Sequence, residues 1–292
     1  MPKQPPPAAP RRGSGGRSGD GRGRGRPAAS ARGGQGREGR APERRGPERR
    51  GPERARTVEQ SVYDGPPIPE EVTGRELDRT VAAQLRGLPE KLAARVARHL
   101  VAAGLVLDSD PRTAYRHTLA ARARAARIAV VREACGEAAY AAEEYAEALS
   151  ELKAARRMNG SKDYLAVMAD CERALGRPER ALAMARNPSV ADLSPSLKAE
   201  MTIVEAGARR DLGEVDAALR TLENAPLRSQ SREDWVVRLR YAYADSLLAA
   251  GRTEDALEWF HRTVAVDAEE ITDAADRAAE VERSLGTPPA AR

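Results

Sequence analysis

The amino-acid sequence predicts an all-α fold of stacked helix–turn–helix repeats, and three observations predict it. The pair Ala-Leu returns at Ala148-Leu149, Ala181-Leu182, Ala218-Leu219 and Ala256-Leu257, at intervals of 33, 37 and 38 residues. Self-similarity at such a period marks a repeat array. Aromatic residues are only 3% of the chain, with Phe260 the single phenylalanine. The core must therefore be Ala, Leu and Val, which suits close-packed helices better than a pleated sheet. Finally, Leu77, Val81 and Leu85, then Leu92, Val96 and Leu100, recur at intervals of four, as one helix face requires.

Charge divides the chain. Its formal net charge is +5, yet residues 1–56 hold Lys3 and fifteen arginines against Asp20, Glu38, Glu43, Glu48 and Glu53, a surplus of +11 that leaves −6 for the remainder. This head is Gly, Pro, Arg, Ala and Ser, and from Ala41 it repeats as P-E-R-R-G. With almost nothing apolar to bury, it cannot offset the entropy of ordering its backbone and is expected to be disordered. Arg-Gly pairs such as Arg22-Gly23 and Arg24-Gly25 are compatible with phosphate neutralisation, although no aromatic residue is interleaved to stack on bases. A purely solvating tail is the other reading of the same composition.

In chain order, residues 57–73 form an extended linker stiffened by Pro66, Pro67 and Pro69. The helical domain then spans 74–286, opening with a degenerate repeat over 74–126. Within it a first helix is expected to begin at Thr73 or Gly74 and run to Gly87. A second starts at Pro89, at a first-turn position where proline is tolerated, and ends at Gly104. Asp110 before Pro111 supplies a cap and first turn for a third helix.

Four clear repeats follow, at about 129–162, 162–198, 199–236 and 237–270. Their turns read E-E-Y-A-E-A-L from Glu143, G-R-P-E-R-A-L from Gly176, G-E-V-D-A-A-L from Gly213 and G-R-T-E-D-A-L from Gly251. Glycine there takes the left-handed conformation that closes a helix. Alanine follows because two helices cross closely, and Leu152, Ala185, Leu222 and Phe260, four residues on, fill the space between them. Gly136, Ala169, Ala206 and Ala244, twelve residues before each alanine, mark the matching approach on the first helices. A capping helix over 271–285 and a disordered 287–292 complete the chain.

These motifs resemble tetratricopeptide repeats, matching them in the small first-helix residue, the turn glycine, the Ala-Leu pair and the bulky residue four beyond the alanine. Together with the basic low-complexity head, the whole resembles uncharacterised tetratricopeptide proteins of high-GC actinobacteria. The resemblance implies an α-solenoid, a right-handed superhelix of helical pairs with a concave groove lined by the first helices. The family's early tryptophan is replaced by Arg132, Leu165, Thr202 and Arg240, and its closing proline by Gly160, Leu193, Gln230 and Ala268. In the third copy Glu205 stands where an apolar residue is expected.

Mapped onto the four copies, the family's groove implies partner-binding positions at Glu133, Glu137, Tyr140, Asp170, Arg173, Ile203, Arg210, Arg238, Tyr241 and Asp245. Tyr and Arg are favoured as binding hot spots, so the two tyrosines are expected to be the anchors. The alternative is that these are simply solvated helix faces. Glu133 and Glu137 carry the wrong charge for the clamp with which a chaperone-binding subclass holds a terminal carboxylate.

Catalysis is not expected. His99, His117 and His261 show no metal-binding spacing. Cys135 and Cys171 are read as buried thiols rather than a disulfide framework. No metal or cofactor is expected either. With no apolar run of membrane-spanning length, a cytoplasmic location is expected. The chain therefore reads as a non-catalytic adaptor binding a protein or peptide, with a nucleic-acid-associated protein using its basic head as the alternative.

Overall fold

In a computed structural model the residues described are 62–286, and every regular element among them is helical. The basic head 1–56 and the terminal 287–292, both expected to be disordered, lie outside the described residues. The α-helices are α1 (Arg79–Gln84), α2 (Glu90–Val106), α3 (Pro111–Ala125), α4 (Ala129–Ala141), α5 (Tyr145–Asn159), α6 (Leu165–Ala174), α7 (Pro178–Ala185), α8 (Pro195–Asp211), α9 (Val215–Glu223), α10 (Asp234–Ala249), α11 (Thr253–Val264) and α12 (Ala274–Gly286). From α2 to α12 each helix packs on the next in chain order. In addition α6 touches α8, and α8 touches α10.

The four repeats turn by one hydrogen-bond pattern. Glu143, Gly176, Gly213 and Gly251 have φ of 64°, 71°, 78° and 75°. The amide of each donates to the carbonyl three residues back, and the next amide to the carbonyl five back, all at 2.8–3.0 Å. This is the paired closure that satisfies the last carbonyls of a helix at a left-handed residue. The following helix then starts from a residue with φ/ψ near −85°/60° at Glu144, Glu214 and Arg252, and −126°/58° at Arg177. Five residues past each left-handed position stand Ala148, Ala181, Ala218 and Ala256, all fully buried.

The small residues expected on the first helices are buried too. A Cβ added at Gly136 would lie 2.6 Å from Cγ and Cδ2 of Leu152, so glycine lets α5 approach α4. Phe260, Leu222 and Leu152 are buried as expected, and the smaller Ala185 is only partly covered. Apolar clusters follow one another along the chain, the largest joining α8 to α12 around Phe260. Glu205 lies half-buried at the edge of α8 and pairs with Arg209 at 2.9 Å, so the helix keeps its register.

Two of the tryptophan replacements take a shared role. Arg132 Nε donates to the carbonyl of Ala126 at 2.8 Å, and Arg240 donates to Leu227 and Ser229 at 2.9 Å each. Both guanidinium groups thus tie down the loop before their helix, satisfying carbonyls that would otherwise lack partners.

Three boundaries differ from expectation. The first helix begins at Arg79, because the Asp78 side chain caps it through the amide of Thr80 while Glu76 takes the amides of Thr73 and Gly74 into a separate turn. The second helix runs past Gly104 to Val106. The last starts at Ala274, because the Asp267 carboxylate accepts from the amides of Ile271 and Thr272 and holds them in a loop.

Candidate interaction surface

The first helices of the repeats carry a polar face, and its residues reach across to the next repeat. Position in each copy is best counted back from the left-handed turn residue. Three before it stand Tyr140, Arg173, Arg210 and Leu248; six before it stand Glu137, Asp170, Gly207 and Asp245. The Tyr140 hydroxyl donates to Asp170 Oδ2 at 2.6 Å, and Arg210 Nη1 to Asp245 Oδ2 at 2.7 Å. Tyr140 and Arg210, at the former position, therefore each grip the latter position one repeat on.

The exception proves informative. The partner position facing Arg173 is Gly207, where a Cβ would lie 2.5 Å from the guanidinium carbon. Arg173 lies flat over that bare backbone and reaches on to Asp211, with Nε at 2.8 Å from Oδ2, while Nη1 holds Asp170 at 2.8 Å. Asp245 continues the series, since its Oδ1 accepts from Arg277 Nη2 at 3.0 Å, and that guanidinium lies 5.6 Å over the Phe260 ring.

A second row of contacts runs parallel. Arg238 meets Glu200 with two donors, at 2.8 and 3.2 Å. Burial lifts the Glu200 carboxyl above its ordinary value, against the pull of Arg238. Glu133 is only 2% exposed and accepts from Asn159 at 2.7 Å, and the Tyr164 hydroxyl donates to Glu137.

All nine charged and tyrosyl positions implied by the groove are thus engaged with neighbouring side chains. The two tyrosines lie inward rather than standing free as anchors. Tyr140 is 8% exposed and edge-on to Tyr145; Tyr241 is 6% exposed and edge-on to Phe260. Burial raises both phenol pKa values, with Asp170 adding to the effect at Tyr140 and Asp273 at Tyr241. Ile203 is also buried. The reason is the approach of successive first helices, which leaves room for a side chain of one to cover its neighbour.

The sequence reading missed the partners Asn159, Tyr164, Glu200, Asp211 and Arg277. A signal existed in the spacing, for an acceptor and a donor recur 30 to 38 residues apart in Tyr140–Asp170, Arg210–Asp245 and Arg173–Asp211. In the Arg173–Asp211 pair the carboxylate is the more exposed arm, at 38% against 18% for the arginine side chain.

Reactive chemistry is poorly supplied. Cys135 and Cys171 are free and fully buried, and burial pushes their thiols up to about 11 and about 12. They are therefore protonated and inert at neutral pH. Among the described residues no group of three or more His, Cys, Asp or Glu could hold a metal ion, and no helix is long and apolar enough to cross a membrane. His99 and His117, which lie on different helices, meet at 3.1 Å between their Nδ1 atoms. No family model matches this sequence, and no curated protein matches it either.

Proposed function

We propose that this chain is a non-catalytic interaction scaffold, a tetratricopeptide-like α-solenoid that holds a partner peptide or helix along the face of its first helices. The reading rests chiefly on the turn repeated bond for bond at Glu143, Gly176, Gly213 and Gly251, because it presents α4, α6, α8 and α10 in equivalent settings. The polar rows between those helices supply a pre-organised array of both charge signs, which favours specificity and steering over bulk hydrophobic affinity.

The test is to crosslink the full chain to its captured partner and locate the crosslinks by mass spectrometry. Contacts are expected on α4, α6, α8 and α10, and Arg173→Glu combined with Arg210→Glu is expected to abolish capture while helical content is retained. Crosslinks confined to other helices would refute the reading.

A second reading is favoured by one observation, the +11 charge of residues 1–56. In it the basic head binds nucleic acid and the helical body recruits a partner. Binding by the full chain but not by residues 57–292, falling by about 0.7–0.9 log units per log salt for each phosphate contact, would support it. Absent or salt-insensitive binding would remove it.

A further inference from the structure

The segment before α1 is held across α2 and α3 by side-chain donors. Arg98 Nε donates to the Val72 carbonyl at 2.6 Å and its Nη2 to Pro69 at 3.2 Å, while Arg95 Nη2 reaches the Asp64 carbonyl at 3.5 Å. Arg124 donates to the Tyr63 carbonyl, and its guanidinium lies 3.9 Å over the Tyr63 ring. Val72 is 3% exposed. Pro66, Pro67 and Pro69 keep the chain extended and leave few backbone donors of its own to anchor it. The segment is a strap, fastened mainly through its carbonyls.

Beneath the strap lie two imidazoles. His99 is fully buried and His117 is 3% exposed. Gly65, at φ +69°, closes over His99 so tightly that a Cβ there would be 2.9 Å from His99 Cε1 and 2.6 Å from Ala120 Cβ. The Nδ1–Nδ1 contact occupies one nitrogen of each ring, and His99 Nε2 is buried with no hydrogen-bond partner. Burial of a polar group without a partner is costly, and a charge there costs far more.

We propose that residues 63–72 are a proton-gated strap, in which protonation of the His99–His117 pair releases the segment from α2 and α3. The charged groups around the pair already oppose a proton. Arg95 and Arg98 act from α2 and Arg116 and Arg124 from α3, and the strap supplies Asp64, whose charge acts on Arg124. Desolvation first, then His117 and these arginines, lower His99 from 6.5 to about 3 with the strap closed, and desolvation also lowers His117.

With the strap open, solvent reaches the imidazoles and their pKa values return toward 6.5. A depressed histidine contributes closing stability that is complete above its open-state pKa and is lost as pH falls through the window from about 6.5 toward about 3. Each proton taken up on opening raises the open population about tenfold per pH unit within that window. The strap precedes α1 in the chain, and the arginine donors named above come from α2 and α3.

The test uses the full chain carrying Val72→Cys and follows its reaction with dithiodipyridine between pH 7 and pH 5, normalised to an unstructured peptide thiol. The buried Cys135 and Cys171 report global opening in the same sample. The expected result is a rise at position 72 of about tenfold per pH unit for each proton taken up below 6.5, while Cys135 and Cys171 stay unreactive, and loss of that rise when His99→Gln and His117→Gln are combined. A flat profile, a rise that survives His99→Gln combined with His117→Gln, or parallel reaction of the two native thiols would overturn the proposal. Should that double variant fail to fold, amide exchange of the unmodified protein decides: the Val72 amide, bonded to the Pro69 carbonyl at 3.1 Å, is expected to lose protection below pH 6.5 after correction for intrinsic exchange, and unchanged protection there down to pH 5, or either imidazole titrating near 6.5 with the strap closed, refutes the gate.

Discussion

Around α10, α11 and α12 the helices meet over Phe260, with Leu239, Leu247 and Val281 about it and Tyr241 set edge-on to its ring. At the other end, where α2 crosses α3, they meet over two histidines and a row of alanines. The C-terminal repeats close through backbone hydrogen bonds at a left-handed residue. The link from α2 to α3 instead relies on the Asp110 side chain, which caps α3 through the amide of Thr113, and the preceding segment relies on arginine donors. Where the repeat is regular, backbone geometry and apolar volume hold the fold. Where it decays, side chain-to-backbone clasps take over, and these respond to charge and solvent.

That contrast can be broken or sharpened by substitution. Phe260→Ala empties the largest fully buried site and is expected to cost about 3–5 kcal/mol in chemical denaturation. A much smaller loss would mean the C-terminal core is as loosely held as the other end. Arg98→Ala removes two charged donors from the strap's carbonyls and should cost about 1.5–3 kcal/mol per effective bond at most, with increased thiol access at Val72→Cys. Unlike Phe260→Ala, it should leave the exchange protection of α10 and α11 unchanged.

Next come the turns. Gly213→Ala meets open space, so left-handed strain alone acts, and a loss of about 1–2 kcal/mol is expected. Glu143→Gly should move stability the other way by about 1 kcal/mol or less, since it relieves a strained glutamate at φ 64° but loosens the unfolded chain. Equal effects at the two positions would show that the first turn has a different closing geometry. Smallest is Gly207→Ala. Its Cβ displaces only the flexible end of Arg173, and the gain in helix propensity offsets the lost pairing to within about 1 kcal/mol. The loss should appear chiefly as a reduced salt dependence of stability.

Much of this was legible in the residues. Ala-Leu pairs and turn glycines located three of the four turns outright, and the same spacing located the fourth even though Glu143 replaces glycine there. Local signals that compete were harder to read, as at Thr73 and Asp78, both able to cap a helix, where only Asp78 does so. The polar face of the first helices was legible as a face, but not its occupation. Whether Tyr241 or Asp245 meets solvent or a neighbour depends on the distance between successive helices, and no pattern within one helix encodes that distance. His99 and His117 were separated by a turn and carried no motif, so their meeting arises only from how α2 and α3 pack.

Arg173 and Arg210 stand at the same place in adjoining units, and each is followed by a glycine three residues later. Excising one whole unit between them would therefore set Arg173 where Arg210 now stands, with Asp245 already waiting as its mate. That excision would keep the Asp245 contact but would also remove Glu200, so the second row at Arg238 would need a new mate.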